Sequence, residues 1–158
     1  MKIKVHSKFK PLFKKDTRYC LLTGGRGSSK SFSVALYLCS LTFEPNQKIL
    51  FTRYTLTSAK ISIIPEFIEK IELLNVGHHF KVTNDSIVNI STGSVIMFKG
   101  VKTSSGNQTA ALKSLQGITT WVYDEAEEEE SETNFDKIDL SIRTKGIHNK
   151  VVLILNPS

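Results

Sequence analysis

The sequence predicts an α/β fold: a mainly parallel sheet flanked by helices, with an inserted β-hairpin. Three observations carry this. Short apolar runs without polar alternation recur along the chain, as in strands buried on both faces, and they alternate with helix-period segments. The middle of the chain breaks that plan with three short strand-like runs, the last two joined by Thr92-Gly93, a hairpin turn. A Gly/Ser-rich loop stands between the first apolar run and the first helical segment.

Taken in order, residues 1–18 form a basic arm, with Lys2, Lys4, Lys8, Lys10, Lys14, Lys15 and Arg18 against Asp16 alone. Arg18 to Thr23 reads as a buried strand ending in glycines. Ser31 to Leu41 carries Phe32, Ala35, Leu36, Leu38 and Cys39 at the spacing of a largely buried helix. Lys48 to Thr52 is a second buried strand. Ser58 can cap a helix running toward Leu74, with Pro65 as a kink or restart. The runs from Phe80, Ser86 and Ser94 are the short strands of the middle, and residues 99–110 form a polar, mobile loop. Thr119 to Tyr123 is a strand ending in Asp124-Glu125, Ser131 to Ile142 a helix, and Lys150 to Leu155 a last buried strand.

The chain of 158 residues is one domain's worth, able to bury enough surface to fold without disulfides. No run of about 18 apolar residues exists to span a bilayer, no apolar segment or cleavage site follows the basic N-terminus as in a secretory signal, and no membrane partner is expected. Cys20 and Cys39 sit in apolar surroundings and suit a reducing compartment as free thiols. Net charge is +6, unevenly spread. Seven of the 15 acidic residues lie between Asp124 and Glu132, so 21 Lys and Arg face only eight acids elsewhere. That basic body suits a polyanion such as DNA or RNA, or is simply a soluble basic surface. Lys99, Lys102 and the N-terminal lysines are the DNA-contact candidates on charge.

Thr23-Gly24-Gly25-Arg26-Gly27-Ser28-Ser29-Lys30-Ser31 lies between predicted strand and helix. Glycines let backbone N–H groups converge on phosphate oxygens, and the helix N-terminus adds positive potential. Lys30 can reach the β- and γ-phosphates of ATP, and Ser31 can place its hydroxyl on Mg²⁺. Against G-x-x-x-x-G-K-[ST], Ser29 replaces the second glycine. At the acidic strand end, in a parallel sheet whose tip would sit beside the loop, Asp124 can hold the Mg²⁺ shell and Glu125 can orient and deprotonate water. Glu127 to Glu130 read as a solvated face opening a helix, or as a negative surface that docks a basic segment. Glu66, Glu69 and Glu72, and separately Asp136 and Asp139, have the spacing of solvated helix faces.

Three blocks then stand together: Gly24-Gly-Arg-Gly-Ser-Ser-Lys-Ser31, Leu115-Gln-Gly-Ile-Thr-Thr-Trp-Val-Tyr-Asp-Glu-Ala-Glu-Glu128 and Leu153-Ile-Leu-Asn-Pro157. In order and spacing they resemble the N-terminal ATPase domain of the large terminase subunit of tailed bacteriophages, a DNA-packaging motor. The resemblance runs from about Arg18 to the end and implies a P-loop NTPase fold of the additional-strand, catalytic-glutamate type. It implies ATP and Mg²⁺ as cofactors, with Gly24, Gly25, Arg26, Gly27, Ser28, Ser29, Lys30 and Ser31 around the nucleotide. Arg26 would contact or sense the γ-phosphate, Asp124 would be the Walker B aspartate, Glu125 the catalytic glutamate and Asn156 the coupling residue. Lys113 stands where some relatives carry a basic residue acting in trans, or is a surface lysine; Arg143 matches a recurrent basic position without an assigned role. The implied partners are double-stranded DNA, the portal protein, the small terminase subunit and a ring of like subunits, in the host bacterial cytoplasm. The family's ribonuclease-H-type nuclease domain is not expected in these residues, and the ATPase domain is expected to be incomplete at its C-terminus. Alternative readings are another nucleic-acid-dependent P-loop ATPase of helicase type, or a fragment that binds nucleotide without turnover.

Overall fold

Five of the apolar runs pair side by side as parallel strands. The computed structural model describes residues 7–14, 16–24, 30–53, 63–101, 116–129 and 132–156. In chain order these form β1 (Tyr19–Thr23), α1 (Lys30–Leu41), β2 (Lys48–Arg53), α2 (Ile64–Leu73), β3 (Phe80–Val82), β4 (Ser86–Asn89), β5 (Val95–Gly100), β6 (Thr120–Asp124), α3 (Glu132–Ser141) and β7 (Lys150–Leu155). The sheet order is β1-β7-β6-β2-β5-β4-β3. The strands from β1 to β5 in that order run parallel, and β4 and β3 extend them antiparallel. Thr92-Gly93 does make the turn between β4 and β5, with Gly93 at φ 82°, a left-handed conformation that glycine adopts without strain. The hairpin is not a mere appendage, because β5 is itself a member of the parallel sheet and runs on to Gly100. Lys99 and Gly100, expected to open a loop over residues 99–110, belong to β5, and 102–110 lie outside the described residues.

The central strands are covered on both faces, as their unbroken apolar runs require: β2 is buried from Ile49 to Thr52 and β6 from Thr120 to Tyr123. On one face α1, α2 and the N-terminal turn cover Leu22, Ile49, Phe51, Ile96, Val122 and Val152. On the other α3 covers Leu50, Trp121, Tyr123 and Val151. The β1–α1–β2 and β6–α3–β7 crossovers run in opposite directions over opposite faces, so they share one hand, as such units must. Pro65 stands in the first turn of α2, where its missing N–H costs nothing; the Ser58 cap lies outside the described residues. Trp121 donates its indole N–H to Thr52 Oγ1 at 2.9 Å in this core. Thr52→Val is expected to leave that donor buried and unpaired, lowering unfolding free energy by about 1–3 kcal/mol in urea titrations. An unchanged midpoint would mean the indole has another acceptor.

Charge alone misdescribes the N-terminal arm. A 3₁₀ turn, Ser7–Phe13, buries Phe9 and Leu12 in the α1-side core. Buried Lys150 donates to the carbonyls of Leu12 and Lys14, the latter at 2.8 Å, and its ammonium lies 5.2 Å from the Tyr37 ring centre. Burial pushes the Lys150 ammonium down from its ordinary range. Asp139 departs from the solvated face expected with Asp136: it accepts Arg18 at 2.9 Å and the Tyr19 hydroxyl at 2.7 Å, tying α3 to β1. Glu66, Glu69 and Glu72 are exposed as expected. Cys20 and Cys39 are free and buried, and burial pushes the Cys39 thiol up to about 12. Among the described residues no helix is long and apolar enough to cross a membrane.

Candidate functional site

The parallel strands end together, and their C-terminal tips carry the polar residues. Gly24 follows β1, Asn156 follows β7, Asp124 closes β6 and Arg53 closes β2. In a doubly covered α/β sheet that end is where ligands sit, between the strand tips and the helix N-termini. The first side chain of α1, Lys30, is only 6% exposed and lies over this end. It donates to the Gly24 carbonyl, the Asn156 side-chain oxygen and, at 3.0 Å, the Leu155 carbonyl. A single ammonium thus ties the β1 tip to the β7 tip.

The acidic strand β6 does not pair with β1 itself: β7 stands between them. That places Leu155 and Asn156 between the loop strand and the carboxylates, and it is the additional strand that the P-loop reading implies. Next to Lys30, exposed Ser31 lines a narrow cleft together with Val34, Arg53, Glu66, Asp124 and Ile154. Arg53 Nε donates to Asp124 Oδ2 at 2.7 Å and lies 3.5 Å from Glu125 Oε1. The Asp124 carboxylate also accepts the Glu125 backbone N–H at 2.9 Å. Burial, chiefly, with acidic neighbours Asp124, Glu127 and Glu128, pushes the Glu125 carboxyl above its ordinary value against the opposing pull of Arg53.

The cleft offers the Ser31 hydroxyl and the carboxylates of Asp124 and Glu66, the hard oxygen donors that Mg²⁺ takes, with Arg53 as the cation now on Asp124. The residues present therefore fit that ion. Among the described residues no group of three or more His, Cys, Asp and Glu is placed to hold a metal by itself.

Of the residues singled out in the sequence, Gly24, Lys30, Ser31, Asp124, Glu125 and Asn156 meet at this end of the sheet. Gly25, Arg26, Gly27, Ser28, Ser29 and Lys113 lie outside the described residues. Arg143 follows α3 at the opposite end, where the adjoining Ile142 carbonyl accepts Arg18 just before β1. Within its own chain it does not reach Lys30. The run expected as a solvated acidic face divides: Glu127 and Glu128 are exposed, but Glu129 is half-buried and accepts the Tyr123 hydroxyl at 2.6 Å. Glu130 lies outside the described residues. Arg53 is the residue that sequence reading passed over. The available signal was a basic residue one position beyond a buried strand, a place where the sheet delivers side chains to the ligand end.

The same fold recurs in known proteins. The family model described as phage terminase large subunit matches residues 16–158. The large terminase subunit of Bacillus phage SPP1 is 28% identical in an alignment 125 positions long that covers 73% of this chain and 28% of that protein. The large terminase of a thermophilic bacteriophage shares the fold with a TM-score of 0.70 at 12% identity, over 96% of this chain and 37% of that one. The ATPase domain of the Thermus phage P74-26 large terminase does so at 0.59 and 14% identity, over 99% of this chain and 66% of that one. The chain thus spans about a third of its full-length relatives. With the loop strand, the intervening strand and the acidic strand in this order, and a family match running from Asp16 to Ser158, the chain belongs to the phage terminase large-subunit family.

Proposed function

We propose that this chain is the Mg²⁺-dependent, ATP-hydrolysing motor domain of a phage DNA-packaging machine, acting on double-stranded DNA. The observation that carries the reading is the convergence of Lys30 and Ser31 with Asp124 and Glu125 at one end of the sheet. The terminase of the thermophilic bacteriophage has been solved with ADP and with ATP-gamma-S, and the phi-29 protein as part of a viral genome packaging motor assembly. By analogy the working unit is a ring of like subunits that meets a portal protein and a small terminase subunit in the host bacterial cytoplasm.

In this reading Lys30 holds the terminal phosphates, and Arg26 meets the γ-phosphate from within the loop. Ser31 and Asp124 hold Mg²⁺, which supplies charge neutralisation on the phosphates when bound. Glu125 takes the proton of the attacking water. Lys30 now spends its three donors on Gly24, Leu155 and Asn156. Turning toward phosphate would draw it away from β7, which gives Asn156 a direct route to register nucleotide. Lys113 or Arg143 of a neighbouring subunit would act in trans.

The reading is tested by ATP hydrolysis with and without double-stranded DNA. Stimulation that weakens as salt rises is expected, because a backbone grip releases counterions. Tight ATP binding without turnover under either condition would reduce the chain to a nucleotide-binding fragment. No cleavage of plasmid DNA is expected from these residues with Mn²⁺, since two-metal hydrolysis needs several converging carboxylates. Nicking that survives Glu125→Gln and further purification would expose a missed metal site.

A further inference from the structure

Along β6 the side chains alternate. Trp121 and Tyr123 belong to the core under α3, while Val122 packs on the α1 side and Asp124 opens into the cleft with Ser31. One more extended residue would carry Glu125 to the α3 side beside Tyr123, away from Arg53. The backbone prevents this: Glu125 is left-handed, with φ 58° and ψ 39°. That turn returns its carboxylate to the Arg53 side, 3.5 Å from the guanidinium that also binds Asp124.

A non-glycine residue in this conformation is held there only by its surroundings. Three ties are present. The Asp124 carboxylate accepts the Glu125 N–H at 2.9 Å. A 3₁₀ turn, Ala126–Glu128, follows, with Glu128 N–H on the Glu125 carbonyl at 3.0 Å and Ala126 packed on the α3-side core. Beyond it, the Tyr123 hydroxyl donates to Glu129 Oε2 at 2.6 Å and closes the segment back onto the strand. The Tyr123 side chain is fully buried, its ring 5.4 Å from Trp121, which in turn lies 5.2 Å from Phe135 of α3. A ring so packed holds its hydroxyl at one point, and a phenol donating to a carboxylate makes a strong, short bond.

We propose that Tyr123 and Glu129 are positioning residues for the Glu125 carboxylate: their bond closes the turn from the opposite face of the sheet and keeps Glu125 on the nucleotide side. The proposal rests on Glu125 being the base. It places part of the control of hydrolysis in a pair on the α3 face, across the sheet from the cleft that Ser31 and Asp124 line.

The test compares ATP hydrolysis and nucleotide affinity for the full chain and four variants, with thermal melting as a check on folding. Tyr123→Phe keeps the packed ring and removes the hydroxyl. Its kcat is expected to fall about 10- to 100-fold, the scale of a misplaced catalytic group, with ATP affinity unchanged. Glu129→Ala is expected to fall likewise, and Glu129→Gln, whose amide oxygen still accepts the phenol, to recover most of the rate. Glu125→Gln is the reference for a lost base. Tyr123→Phe with wild-type kcat beside an inactive Glu125→Gln overturns the positioning role alone. The same holds for a Glu129→Gln as slow as Glu129→Ala. A Glu125→Gln that turns over normally overturns the base assignment and the positioning role with it.

Discussion

Lys30→Ala is expected to lose most of its affinity for ATP. The ammonium is nearly enclosed, at the start of α1, and its present partners are all uncharged oxygens at the tips of β1 and β7. A phosphate oxygen is a far better acceptor for it than a carbonyl, because both partners then carry charge. Each charged hydrogen bond lost is worth about 1.5–3 kcal/mol, or roughly 10- to 100-fold in affinity. Titration with a fluorescent ATP analogue and Mg²⁺ reads this directly. Lys30→Met, which keeps the aliphatic stem, separates lost charge from lost packing. Binding by both variants at wild-type strength would remove the phosphate role from Lys30.

Glu125→Gln should separate binding from chemistry. The amide keeps the shape and can still lie near Arg53, but it takes no proton from water, so a loss of about 10²–10⁴ in rate is expected while ATP still binds. The pH profile gives a second reading of the same group. The base acts ionised, and burial holds its carboxyl above the ordinary value. The rate of the wild-type chain should therefore fall, as pH is lowered, at a higher pH than an ordinary exposed glutamate would give. That acid limb should be missing from the residual rate of Glu125→Gln. A variant with undiminished turnover, or one that keeps the limb, would point to another base.

The parts of the site that are contiguous in the chain are legible from residue order alone. A lysine and a serine opening a helix, and a pair of carboxylates at a strand end, are local patterns whose chemistry depends on neighbours a few residues away. Arg53 was not legible, because its partner Asp124 is 71 positions away and meets it only when β2 pairs with β6. The contact of Lys30 with Asn156, 126 positions apart, was likewise invisible as a contact, although each residue stands out in its own motif. The N-terminal segment shows the opposite failure: seven basic residues drew attention to charge, while Phe9 and Leu12 decide where the segment sits.

By itself the sequence determined the kind of layer structure, the positions of nearly every strand and helix, and the residue types gathered at the C-terminal strand tips. Periodicity and turn chemistry act over a few residues, and they are written in the order of the chain. Strand order, the insertion of β7 between β1 and β6 and the pairing of Arg53 with both carboxylates were decided by tertiary structure. So was the face on which Glu125 emerges, which the left-handed turn reverses and Tyr123 and Glu129 close. These depend on which buried surfaces fit together across the sheet, and no local pattern encodes that fit.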